Sequence, residues 1–138
     1  TNKFHRITNI FNNFKKARFT HPKDRDYLIY DLDRDDIMAL LKSINGAIII
    51  ASNPCLELWF LLHYVKQMAE LTSAQCVSLL KHHAPQYRKG SICASLFSAF
   101  ESNQERSVGW AKTLPEHKNP SSDMPILIAD LEAAREKK

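Results

Sequence analysis

Only three glycines occur in 138 residues. No glycine-rich loop can therefore cradle phosphates, and both the P-loop and the dinucleotide fingerprint are absent. The three cysteines, Cys55, Cys76 and Cys93, are odd in number and widely spaced, with no C-x-x-C pair. That pattern indicates neither a structural zinc site nor a disulfide framework, and it points to reduced thiols in a cytoplasmic protein. The longest apolar run, near Leu58 to Leu62, falls far short of the roughly 20 residues that span a bilayer, so no membrane partner is expected. Repeats and low-complexity segments are also lacking. Residues 1–23 contain no Asp or Glu at all.

What is present is an ordinary globular composition, 44% hydrophobic and 25% charged. Residues 1–138 read as a single domain with length enough for a core. The net charge of +4 permits an anionic partner without demanding one. The chain opens on Thr1 with residues that already pattern as a helix, so an N-terminally truncated domain is expected.

Taken in order, Phe4, Ile7, Phe11 and Phe14, with Ile10 beside them, predict a helix with an apolar stripe. Lys3, Arg6, Lys15, Lys16 and Arg18 then occupy its outer face. Residues 27–32 read as a strand, continuously apolar at first, as suits a strand buried on both faces of a parallel sheet. Asp35 or Asp36 can cap a following helix with Ile37, Leu40, Leu41 and Ile44 inward, and Asn45-Gly46 ends it. Residues 47–51 form the second strand. Strand, helix and strand in this span is a βαβ unit.

Ser52-Asn53-Pro54 reads as a second strand-to-helix junction, with Asn53 as cap and Pro54 as first helical residue. The segment Cys55 to Val65 is apolar nearly all round, as a buried helix is. His63 within it fits a hydrogen-bonded core residue better than a ligand. His82-His83 fit the last turn of a helix. Ser73 to His83, Ile92 to Phe100, Val108 to Leu114 and Pro125 to Leu131 are helical, with Asn119 to Ser122 a turn and cap. The fold class is α/β, with at least two parallel strands flanked by helices and a helical C-terminal half.

The chemistry-bearing stretch is Asp31-Leu32-Asp33-Arg34-Asp35-Asp36. Alternation along a strand puts Asp31 and Asp33 on one side, with Cα atoms about 6.6 Å apart, and a turn can bring Asp35 back to them. Carboxylates so close call for a proton or a cation among them. Oxygen donors select Mg²⁺, Mn²⁺ or Ca²⁺ over zinc. Ligands of open α/β sheets bind beyond the carboxyl ends of strands, which is where these acids lie. The competing reading is an acid-rich helix N-terminus, which suits Asp35 and Asp36 but not Asp31 and Asp33. Asn53 and Glu57 fall on the same sheet edge. Glu57 is either a participant in the metal site or a first-turn glutamate facing the helix dipole.

Ser52-Asn53-Pro54-Cys55-Leu56-Glu57-Leu58-Trp59-Phe60-Leu61-Leu62-His63-Tyr64 resembles the signature segment of the RloB-like proteins. Tyr30 to Asp35 resembles that family's preceding acidic motif, Tyr87-Arg88-Lys89 its Tyr-x-Lys element, and Asn119-Pro120-Ser121 its late Asn-Pro-Ser/Thr element. The family is similar to the Toprim superfamily of topoisomerases and primases. The resemblance implies a compact parallel sheet, Mg²⁺ (or Mn²⁺) held by Asp31, Asp33 and Asp35, and phosphodiester chemistry on DNA or RNA in bacterial phage defence through restriction or abortive infection. In that light Asp31, Asp33 and Glu57 are the candidate catalytic residues, and Arg34, Asn53 and Lys89 the candidate phosphate contacts. A Toprim site also uses a glutamate at the end of an earlier strand, which this sequence lacks. The expectation is a nuclease domain without its N-terminal strand. Its alternative is a non-catalytic binding or regulatory module working through nucleic acid, a partner from the same defence locus, or a homodimer along an exposed sheet edge.

Overall fold

Strands β1 (Tyr27–Asp31) and β2 (Ile48–Asn53) pair in parallel, Tyr27 opposite Ile48 and Asp31 opposite Ser52. They belong to a computed structural model of the chain that describes residues 9, 10, 12, 13, 24–32 and 37–136. Helix α1 (Ile37–Lys42) connects them and lays Ile37 and Leu41 against Leu32, Ile44 and Ala51. Gly46, at φ 84°, takes the left-handed turn back into β2 that a side chain would resist. The βαβ unit expected from the two apolar runs is present.

The sheet has a third member. Ser121–Ser122 forms a two-residue strand, β3, antiparallel to β2. The order is β1-β2-β3, so the sheet is mixed and β2 is central. Ser121 and Ser122 were expected in a turn and cap. Their pairing depends on the open edge of β2, which no local pattern announces. Burial follows the same geometry. Ile50 and Ala51 of β2 are wholly buried, whereas Ile29 of β1 is 48% exposed. The expectation of a first strand buried on both faces is therefore corrected: β1 is half-buried.

The second junction also differs from its sequence reading. β2 continues through Asn53, because Asn53 pairs with Ser121. A cis Asn53–Pro54 peptide follows, and helix α2 starts only at Glu57. Asn53 is thus a strand residue rather than a cap, and Pro54 precedes the helix. α2 (Glu57–Leu61) is short, and the chain continues to Val65 in mixed turns, His63 N–H to Phe60 O and Val65 N–H to Leu61 O among them. Leu58, Leu61 and Leu62 are fully buried, as an all-apolar segment requires.

Three further helices enclose it: α3 (Ser73–His83), α4 (Ala94–Lys112) and α5 (Met124–Glu136). α3 opens with a reciprocal capping box, Thr72 Oγ1 accepting from Gln75 N–H and Gln75 Oε1 from Thr72 N–H. It ends on His82 and His83, as expected. α4 is one helix where two apolar stretches were read; the polar span between them lies largely on its outer side. Tyr27 on β1 donates to Asp130 on α5 at 2.7 Å, tying the first strand to the last helix. Phe4, Ile7, Phe11 and Phe14 lie outside the described residues, as do Asp35 and Asp36; residues 9, 10, 12 and 13 are helical.

Candidate functional site

Parallel pairing brings the carboxyl ends of β1 and β2 to one edge. Leu32 N–H donates to Ser52 O at 2.8 Å and extends the ladder one residue past β1. Asp31 is the last residue of β1, and its Oδ1 accepts the backbone N–H of Leu56 at 2.9 Å. Leu56 is the capping position of α2, where amides lack partners within the helix. A carboxylate on such an amide makes a charge-assisted bond. Asp31 thus fixes the chain leaving β2 to the end of β1.

Glu57, the first residue of α2, is 4% exposed. Burying a carboxylate is expensive without partners. Its Oε2 accepts the hydroxyl of Tyr87 at 2.7 Å, thirty residues later in the chain. Burial pushes the Tyr87 phenol well above its ordinary range, and the bond to Glu57 and the charges of Glu57, Cys55 and Asp31 push the same way. The Cys76 thiol bonds the Cys55 sulfur. That bond, then burial, then the charges of Cys55, Glu57 and Asp31 hold Cys76 protonated far above a free thiol. Asp31, Cys55, Glu57, Cys76 and Tyr87 therefore share one electrostatic environment, drawn from β1, the segment before α2, α2 itself, α3 and the loop after α3. Cys55 and Cys76 are both buried and free of disulfide.

Of the residues singled out in the sequence, Asp31 and Glu57 are brought into this cluster. Asp33, Arg34 and Asp35 lie outside the described residues. Lys89 follows Tyr87 by two positions and is exposed. Asn53, read as a phosphate contact, gives an amide N–H to His117 O at 2.9 Å and so holds the loop before β3. A cleft of about 610 Å³ opens at this edge, walled by Leu32, Asn53, Pro54, Ser73, His117 and Lys118.

Cys76 gave no signal beyond its place on the inner face of a helix. The loop 116–123 gave none either. There Asp123 Oδ2 accepts from Ala51 N–H at 3.1 Å and lies 3.0 Å from His117 Nε2, while Ser122 and Ser52 hydroxyls bond at 2.8 Å. Asn119 clasps Leu71 with both ends of its amide, at 3.1 and 2.7 Å. His63 is the core residue expected: it is fully buried, Nδ1 bonds Trp59 O at 2.8 Å, and burial lowers its pKa.

The chain belongs to the RloB-like protein family, whose model matches residues 2–131. No curated protein and no solved structure matches it. Among the described residues no helix is long and apolar enough to cross a membrane.

Proposed function

We propose that this chain carries the metal-binding part of a Toprim-like, Mg²⁺-dependent nuclease that cleaves nucleic acid in phage defence. The observation that carries this reading is Asp31, at the carboxyl end of a parallel strand pair, accepting the amide of Leu56 next to the buried Glu57. Membership of the RloB-like family supports it.

The donor set fits a hard cation. Asp31 is a carboxylate at the strand end, and Asp33 and Asp35 follow it in sequence; Glu57 supplies a further carboxylate. The soft thiols are paired with each other, with Cys76 held protonated. All-oxygen donors suit Mg²⁺ or Mn²⁺. Asp31, Asp33 and Asp35 would hold the ion. When bound, it stabilises charge on phosphoryl oxygens and supplies an activated water. The chain's own part is positioning. The Leu56 amide fixes the Asp31 carboxylate, and the Tyr87 hydroxyl fixes that of Glu57. Arg34 and Lys89 offer cations for the phosphodiester.

Incubating the chain with DNA and RNA substrates, with Mg²⁺ or with EDTA, tests this. Mg²⁺-dependent cleavage should fall by about 10²-fold or more in Asp31→Asn, the usual scale for losing a group that stabilises developing charge. Cleavage unchanged in Asp31→Asn would overturn the site. A second reading, a non-catalytic binding or regulatory module, is favoured by one observation: Glu57, the candidate proton-moving acid, is 4% exposed and already bonded to the Tyr87 hydroxyl. Binding of nucleic acid, or of a partner protein from a defence locus, without cleavage would favour it.

A further inference from the structure

Residues 71–100 contain no Asp or Glu, against 15 in the whole chain. The same span carries Lys81, His82, His83, Arg88 and Lys89, which close α3 and follow it in the next turn. Lys81, Arg88 and Lys89 are exposed, and among the described residues none of the three is in an ion pair. Cations in the last turn of a helix answer its dipole, which accounts for Lys81 and the histidines. It does not account for Arg88 and Lys89, which stand beyond the helix, nor for the missing acids.

Aromatic rings lie in the same place. The Tyr64 ring stacks on that of His83, with centroids 5.3 Å and planes 15° apart, and His82 stands edge-on to His83 at 5.4 Å. The Tyr64 hydroxyl meets Ser95 Oγ at 3.2 Å, which holds the pair at the seam of α3 and α4. Tyr64 and His83 are half-buried and His82 is exposed, so the rings are open to solvent on one side. The patch also adjoins the candidate site: Arg88 and Lys89 directly follow Tyr87, whose hydroxyl holds Glu57 at 2.7 Å.

We propose, on the reading of the chain as a protein that acts on nucleic acid, that Lys81, His82, His83, Arg88 and Lys89 with Tyr64 bind a single strand and lead it to the Asp31 edge. Cations free of carboxylates follow a phosphate backbone, and rings take up bases. A duplex hides its base faces within its own stack, whereas a single strand offers them. Rings beside cations therefore favour the single strand. Neither a ring face nor a point charge reads the sugar, so DNA and RNA strands bind alike.

Fluorescence anisotropy of labelled oligothymidylate and oligouridylate, each of about 12 nucleotides to cover one binding site, tests this on the whole chain. Binding is read in EDTA at about pH 8, where free imidazoles are neutral. Both oligomers should bind, and a DNA duplex of the same length should bind about tenfold more weakly, the scale of one lost base stack. Lys81→Ala and Arg88→Ala should each lower the slope of log affinity against log salt by about 0.7. His83→Ala should weaken binding about tenfold with little change in that slope. Lys112→Ala, at the other end of α4, should bind as the wild type does, which separates the patch from net charge. Melting temperatures of the free proteins check that each variant is folded. No binding of the oligomers, equal affinity for duplex and single strand, wild-type affinity in both Arg88→Ala and His83→Ala, or an equal loss in Lys112→Ala would overturn the proposal. Because binding is read without metal, its failure is distinct from a failure of the Asp31→Asn cleavage test.

Discussion

Glu57 and His63 stand six positions apart on the same buried segment, and the chain treats them differently. Glu57 meets the Tyr87 hydroxyl at 2.7 Å and sits beside Asp31 and the Cys55–Cys76 pair. His63 bonds Trp59 O through Nδ1 at 2.8 Å, its Nε2 has no partner among the described residues, and it is walled by the rings of Trp59 and Phe100 at 4.7 and 4.6 Å. A carboxylate confined at this depth needs a donor. An imidazole can discard its charge, and burial lowers its pKa for that reason. The amino end of the segment therefore holds a paired carboxylate, and the carboxyl end holds packing. There Asn103 Nδ2 and Ser107 Oγ cap the carbonyls of His63 and Leu62, each at 2.9 Å.

Tyr87→Phe should break this contrast most sharply. It removes the donor and leaves the Glu57 carboxylate in place, so urea unfolding should lose about 2 kcal/mol. Glu57→Gln should lose less, because the amide oxygen still accepts from Tyr87. Equal stability in Tyr87→Phe and wild type would mean that Glu57 finds its compensation elsewhere.

The imidazole is tested by pH. Its folded pKa lies below the unfolded value of about 6.5. Above pH 6.5 neither state is protonated there, and the contribution is intact. As pH falls from 6.5 towards the folded pKa, the unfolded chain takes up a proton that the folded one refuses. Stability then drops by up to about 1.4 kcal/mol per pH unit. The wild-type minus His63→Phe difference should show this slope; a flat difference would place a charged imidazole in the core.

The smallest effect is a control remote from both residues. Thr72→Ala opens the capping box of α3 and should cost about 1 kcal/mol, with no pH dependence in that range. A loss equal to that of Tyr87→Phe would show that stability is set by helix ends rather than by the buried carboxylate.

Much of this was legible. The runs at 27–32 and 47–51 are rich in branched and aromatic residues, and both became strands of a parallel pair. The all-apolar segment after Pro54 became the centre of the core. The helix read from Ser73 to His83 is α3 with those bounds. Other features left no local trace. Ser121 and Ser122 are small and polar, and they are a strand only because β2 offers an edge. Asn53-Pro54 resembles a cap and first turn, but pairing with Ser121 keeps Asn53 in the sheet. At the candidate site, Asp31 and Glu57 could be placed on one edge from the parallel topology alone. That Tyr87 reaches Glu57, and Cys76 reaches Cys55, could not.

The sequence by itself determined which segments are buried and where the acids fall, because side-chain periodicity records which face meets the core. Only the tertiary structure decided which polar groups answer one another. Asp31 and the Leu56 amide, Glu57 and Tyr87, and Ala51 and Asp123 are separated by 25, 30 and 72 positions. Such pairings carry no periodic imprint. They follow from how the strands and helices stack, and from the requirement that a polar group sealed from water find a partner.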